Sequence, residues 1–285
     1  MELGLLLPVG GGRWDKVAQV ASEADAAGFD VLWVGDHLQF PPGAQPLESM
    51  TVLAALAGDV RATLAIATAA VAFRPAPVFA KAVTTLHQVA GGRIRCLLGA
   101  GADEAEHAAN GLPFGSPRER LDRLVDYARV CRTLWSTDGP VDHVGPAGPL
   151  RGAVHLPKPA SPIDLGFGGG GRRVVRLAAT TGSELCIGLR PEFEDIAASF
   201  RHQATEAGRR PRLTVLVPYG GASSQHPLAA HPRNLDPRDL RAGALAGYAR
   251  AGVTGLYLVP LGAAATEAAI DGLDELRTAL TEAGG

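Results

Sequence analysis

The feature that most constrains this chain is a short apolar run followed by a helical repeat, recurring along nearly its whole length. Residues 3–7 form the first run, closed by Pro8 and three glycines, and read as a strand. Residues 16–27 follow with Val17, Val20, Ala21 and Ala24 on one helical face and Gly28 at the end. The same alternation predicts strands over 31–34, 64–71 and 94–98, and helices over 49–56, 77–89 and 116–135. Ser116, with Glu119 three residues on, predicts a capping box at the start of the last of these. Four more strands are expected over 163–166, 185–188, 213–217 and 256–259. Helices are expected over 172–180, 192–207 and 266–283, and another within 237–251.

Strands that are apolar throughout, instead of alternating, belong to a parallel sheet covered on both faces. Eight strand–helix units point to a closed (β/α)8 TIM barrel of the α/β class, with an open doubly wound sheet as the alternative. The 285 residues suit a single such domain over 1–285, with loop insertions at the C-terminal face. Chemistry in such a barrel sits at the C-terminal ends of the strands. Two Pro/Gly-rich stretches break the rhythm, 137–162 with His143 and His155, and 219–237 with His226 and His231. Each reads either as an active-site loop or as an ordinary long connection.

A net charge of −2 and an aromatic content of 5% argue against nucleic acid or a membrane surface as partner. No apolar run reaches the ~20 residues of a membrane span. The N-terminal residues read as a strand and not as a signal peptide. Cys96, Cys131 and Cys186 lie far apart without CxxC spacing, as expected of reduced, buried thiols in a cytoplasmic protein. The loop histidines show neither HxH nor HxxxH spacing, so no metal site is expected. The abundance of Ala, Gly and Arg over Lys suggests a GC-rich bacterial source.

Asp36 and His37 close the second strand, at the barrel mouth. An imidazole there serves a ligand as hydrogen-bond partner, acid or base, or else pairs with Asp36 and only holds the strand end. Gly168, Gly169, Gly170 and Gly171 lead from a strand into a helix and, with Arg172 and Arg173, suit an anion; the alternative is a flexible turn. This is not a GxGxxG after the first strand, which weakens a dinucleotide-fold reading. Glu48 reads as a cap or ion-pair partner, and Arg74 and Lys81 as supports of the third strand's exit. Asp164 and Glu184 lie near strands but make no clear lyase pair.

Several segments recur in a characteristic order. They are GFDVLWVGDH at 28–37, Leu47-Glu48 with 51–56, Arg74-Pro75-Ala76-Pro77 with Ala80-Lys81, and Gly91-Gly92-Arg93. Next come Leu98-Gly99-Ala100-Gly101, then NGLPF at 110–114 before an Arg-rich helix ending in Leu134-Trp135. Finally PIDLG at 162–166 runs into Gly168–Arg173 and Leu177-Ala178-Ala179. Together they resemble the luciferase-like monooxygenase superfamily, closely over residues 1–190 and by rhythm beyond. That superfamily includes bacterial luciferase, flavin-dependent alkanesulfonate monooxygenases and oxidoreductases using the deazaflavin coenzyme F420.

The resemblance implies a cofactor ring over the barrel mouth, with His37 and Asp36 as the catalytic residues. It implies a non-proline cis peptide at the end of the third strand, expected at Ala70-Val71, propping the ring. Gly99 and Gly101 would flank the cofactor, and Gly168–Arg173 would hold its phosphate. The chain departs from the family at Ala102, where many relatives carry Trp or an acid. Asp103 or Glu104 is the possible substitute, or else a solvated helix start. The implied function is F420-dependent hydride transfer with a small organic substrate. One alternative is an FMNH2-dependent monooxygenase fed by a separate reductase, and another is a barrel that has lost redox chemistry. The lack of the long insertion typical of sulfonate monooxygenases favours F420 over FMN, and a homodimer is the family default.

Overall fold

A computed structural model of the chain describes residues 1–39, 43–188, 190, 192–220, 234–236 and 242–284. The first half runs β1 (Glu2–Leu6), α1 (Trp14–Ala27), β2 (Val31–Val34), α2 (Ser49–Leu56), β3 (Thr63–Ala70), α3 (Ala76–Val89) and β4 (Ile94–Gly99). A short α4 (Glu104–Ala109) and a long α5 (Pro117–Ser136) follow, then a hairpin of β5 (Val141–His143) and β6 (Leu150–Ala153). The second half runs β7 (Asp164–Gly168), α6 (Arg172–Thr181), β8 (Glu184–Ile187), α7 (Phe193–Glu206), β9 (Arg212–Tyr219), α8 (Ala242–Arg250) and β10 (Gly255–Pro260). Helices α9 (Ala263–Asp271) and α10 (Leu273–Gly284) end it.

The expected barrel is present. Strands β1, β2, β3, β4, β7, β8, β9 and β10 close in that order, each pair parallel. The capping box at α5 forms as read, Ser116 accepting from the Glu119 N–H while Glu119 accepts from that of Ser116. The single C-terminal helix expected over 266–283 is two, broken at Gly272. A Cβ on Gly272 would lie 2.9 Å from the Ala268 carbonyl oxygen, so a side chain is excluded there.

Of its two readings, the 137–162 stretch takes that of an ordinary connection and not that of an active-site loop. It connects the end of a helix to the start of a strand, so it belongs to the barrel end remote from the mouth. Its anchors are on the helical shell: His143 Nε2 to Asp126 at 2.8 Å, His155 Nε2 to Thr84 at 2.9 Å, and Lys158 donating to the Leu134 carbonyl at 2.8 Å. The 219–237 stretch lies largely outside the described residues. Within it, Leu235 bridges to Tyr219.

The core has two parts. A large shell between strands and helices includes Leu3, Leu5, Phe79, Leu134, Phe167 and Phe200, all buried. Inside the barrel, Val31, Trp33, Ala65, Ala67, Leu97, Cys186 and Tyr257 pack together, with Trp33 and Tyr257 stacked at 5.7 Å. At the far end, Arg95 pairs with Glu2 at 2.6 Å, and Arg212 pairs with Asp164 and with buried Glu184. Asp164 and Glu184 therefore sit at the strand starts in a structural ion network. All three cysteines are buried, and burial pushes the Cys96 thiol up to about 12. No helix among the described residues is long and apolar enough to cross a membrane.

Candidate active site

The C-terminal ends of the strands surround a cavity of about 430 Å³. Gly35, Asp36 and His37 reach it from β2, Ala67, Thr68 and Ala70 from β3, and residues 99–102 from β4. Gly168–Gly171 line it after β7, Gly188 and Arg190 after β8, and Leu216 from β9. Most of these side chains are small.

Asp36 is 5% exposed and fully engaged. Arg74 grips it with two bonds, at 2.7 and 2.9 Å, and the Ala70 N–H donates to it at 3.0 Å. Glu48 completes the cluster. It caps α2 by accepting from the Thr51 N–H at 2.7 Å and pairs with Arg74. Burial alone would lower the Arg74 pKa, but Asp36 and Glu48 hold it above its ordinary value. The geometry gives Asp36 a positioning role: it ties the exit of β2 to that of β3.

His37 is turned to a different carboxylate. Its Nδ1 lies 3.0 Å from Oε2 of Glu106, a residue outside the sequence-derived candidates. Glu106 is 3% exposed, and its other oxygen accepts from the N–H groups of Leu38 at 2.6 Å and Gln39 at 3.0 Å. Burial raises the Glu106 pKa, but those donors and the imidazole outweigh it and hold the carboxyl below its ordinary range. The two acids considered from sequence serve otherwise. Asp103 caps α4 by accepting from the Glu106 N–H at 2.7 Å, and Glu104 is exposed. No local pattern marks Glu106, because α4 has only six residues and is too short to show a period.

The cis peptide lies at Ala67-Thr68, three residues before the expected Ala70-Val71. The β3–β4 register shifts between Ala67 and Ala69, so Thr68 drops out of the ladder and joins the pocket wall. Its side chain fills the space that side chains at Gly99 and Gly168 would need. A Cβ on Gly99 would lie 2.3 Å from Thr68 Oγ1, and one on Gly168 would lie 2.1 Å from Thr68 Cγ2. Val71 is buried, with its N–H bonded to the Gly99 carbonyl at 3.1 Å, and is not a lining residue.

The glycine turn opens α6 toward the cavity. Gly171 is the N-cap and provides no side-chain bond to the first N–H groups of the helix. A Cβ on Gly171 would meet nothing within 4 Å, whereas one on Gly170 would lie 2.8 Å from Arg190 Cδ. The basic residue at the pocket is corrected accordingly. Arg190 lines the cavity, Arg172 is exposed outside it, and Arg173 is paired with Asp122 at 2.6 Å. No His/Cys/Asp/Glu group among the described residues is arranged to hold a metal ion.

A closed parallel barrel with a cavity at the C-terminal ends of its strands places the chain among the (β/α)8 barrels. Within them it belongs to the luciferase-like monooxygenase family, whose model matches residues 1–281. Over 173 residues it is 32% identical to the F420-dependent glucose-6-phosphate dehydrogenase of Kineococcus radiotolerans, a match covering 59% of this chain and 50% of that protein. It is 26% identical over 187 residues to the pyrimidine monooxygenase RutA of Pseudomonas syringae pv. syringae, covering 58% of this chain and 51% of that one. The chain thus spans about half the length of these curated relatives. Its fold is similar to that of an F420-dependent secondary alcohol dehydrogenase solved with an F420-acetone adduct, with a TM-score of 0.85 over 98% of both chains at 20% identity.

Proposed function

We propose that this chain is an oxidoreductase that uses coenzyme F420 to exchange a hydride with a small organic substrate at the barrel mouth. The observation that carries this reading is the His37–Glu106 pair, set beside a small-residue cavity that also holds an uncapped helix start. The cavity volume, about 430 Å³, falls within the roughly 300–1,000 Å³ usual for ligand sites. When bound, F420 supplies a ring carbon that takes or gives a hydride.

The residues present fit such a group. The N–H groups opening α6, together with Arg190, would hold its phosphodiester. Gly171 leaves open space where a side chain would obstruct it. Thr68, Gly99 and Gly168 form a tightly packed wall. Glu106, ionised at neutral pH, accepts the Nδ1 proton of His37 and fixes that tautomer. Nε2 of His37 is then the atom that takes or returns a proton at the substrate oxygen. Ala102 brings no acid to the pocket, and His37 backed by Glu106 serves in its place.

The relatives support both this reading and a second one. An F420-dependent dehydrogenase is 32% identical to the chain, and its similarity to a pyrimidine monooxygenase favours FMNH2-dependent oxygenation, supplied by a separate reductase. Titration of the purified protein with F420 and, separately, FMN, read by cofactor fluorescence and melting temperature, tests them. Tight binding of F420 alone, stabilising the fold by mass action, supports the first reading. Binding of FMN alone supports the second, and binding of neither overturns both.

A further inference from the structure

α6 begins against the usual electrostatics of a helix. The N–H groups of a first turn carry partial positive charge, so acids are favoured there and arginines are not. α6 has no acid in its first turn, and its first two residues are Arg172 and Arg173. This charge stands at the end of the glycine turn that lines the cavity. Arg190 adds to it, since a Cβ on Gly170 would lie 3.1 Å from its Nε.

α5 brings a further guanidinium to the same place. Asp122 accepts from Arg173 at 2.6 Å and pairs with Arg118 at 3.8 Å, so one carboxylate is shared by two arginines and joins the starts of the two helices. The Arg118 and Arg173 side chains are nevertheless exposed. The other acid at the α5 start, Glu119, is taken up by the Ser116 cap. No described acid forms an ion pair with Arg172 or Arg190, Glu194 and Asp195 in the α7 first turn included. In a chain of 27 basic and 29 acidic residues, four arginines around Asp122 are a local excess of positive charge that opposes the helix it sits on.

A phosphate at the turn would meet the α6 N–H groups and Arg190. Arg118, Arg172 and Arg173 stand outside the cavity and are reached only by a ligand that continues past its phosphate. F420 continues in that way and FMN does not. Its phosphodiester runs through a lactyl group into a chain of γ-linked glutamates, and each glutamate adds a carboxylate.

We propose that Arg118, Arg172 and Arg173 form a subsite for the glutamate tail of F420, outside the cavity and beyond the phosphate. The inference rests on the reading of the cavity as an F420 site and deepens it, because the tail then gives the chain a means of preferring F420 over FMN. Guanidinium groups hold carboxylates through paired N–H donors. Exposed contacts of this kind are individually weak and screened by salt, so the subsite acts through their number.

The test titrates wild type, the double variant Arg118→Gln with Arg172→Gln, and Asp122→Asn. The ligands are F420 with a long glutamate tail, the form that ends at the lactyl group, and FMN, followed by fluorescence at low and high salt. Wild type is expected to bind the long-tailed form about three- to tenfold more tightly than the tailless form at low salt, and equally at high salt. In the double variant that difference disappears because the long-tailed form weakens to the tailless level. The melting temperature holds, since a cation has left the positive end of α6. Asp122→Asn frees two arginines and widens the difference.

Equal affinity of wild type for the two forms at low salt overturns the proposal and leaves the F420 reading standing. So does a difference that the double variant retains, or one that narrows in Asp122→Asn, which marks the arginines as ties between α5 and α6. A wild type that binds FMN alone, or neither cofactor, overturns the F420 reading and this proposal together.

Discussion

Oε2 of Glu106 lies 3.0 Å from Nδ1 of His37, while Oε1 of the same carboxylate accepts from two backbone N–H groups just beyond that histidine. One buried side chain thereby orients the imidazole and fixes the backbone that follows it. Glu106→Gln keeps the shape but presents an amide with both donor and acceptor faces, so the tautomer of His37 is no longer imposed. Turnover is expected to fall about a hundredfold or more, with cofactor affinity little changed. Steady-state kinetics paired with a binding titration checks this, and an equal loss in both would contradict it.

The same residue sets an acid-side stability limit. Its carboxyl titrates below the ordinary range in the folded protein and at its ordinary value once unfolded. Its stabilisation is therefore complete above the ordinary value and fades as pH falls through the folded one. Melting temperature measured from neutral pH to below about pH 4 should fall less steeply for Glu106→Gln than for wild type.

The Asp36–Arg74 pair is a buried bidentate contact. Removing one partner leaves the other as a buried charge without compensation. Arg74→Met is expected to lose about 3–5 kcal/mol of unfolding free energy. Arg74→Lys, which keeps the charge but not the fork, should lose less. Chemical denaturation separates the two, and equal losses would show that the charge without the fork contributes nothing.

Thr68 packs against two glycines through different atoms. Gly168→Ala would strike Thr68 Cγ2 and Gly99→Ala would strike Oγ1. Each is expected to lose about 1–3 kcal/mol from overpacking. Thr68→Ser removes Cγ2 alone, so it should rescue Gly168→Ala and not Gly99→Ala in a double-mutant cycle. Equal rescue of both would refute this packing.

At the α6 start, Arg190→Gln is expected to weaken F420 or FMN about tenfold through loss of a charge-assisted contact. Arg190 is exposed, so the unliganded melting temperature should hold. Gly171→Ala has room for its methyl and should leave the fold intact while reducing cofactor affinity. Unaltered affinity in both variants would move the anion site elsewhere.

Much of the barrel was legible from apolar spacing alone. β2 and α2 have the expected bounds, and most other elements differ by one or two residues at an end. The misses share a cause. The β5–β6 hairpin and α4 are too short to show a period, and the apolar spacing runs on through the break at Gly272. The region 137–162 was readable as an interruption, but its distance from the mouth follows from the helix-to-strand connection it makes.

The candidate site was legible in part. His37 and the glycine turn have residue types and places in the strand–helix order that mark them in one dimension. Glu106, Thr68 and Arg190 do not. Glu106 is 69 residues from the histidine it orients, Thr68 matters because Gly99 and Gly168 are small, and Arg190 reaches the glycine turn only when β7 and β8 lie side by side. Periodicity and capping are short-range effects, so the sequence by itself determined the eight strand–helix units and hence the barrel. Which carboxylate pairs with His37, which peptide turns cis and which arginine meets the pocket were decided only when barrel closure brought distant strand ends together.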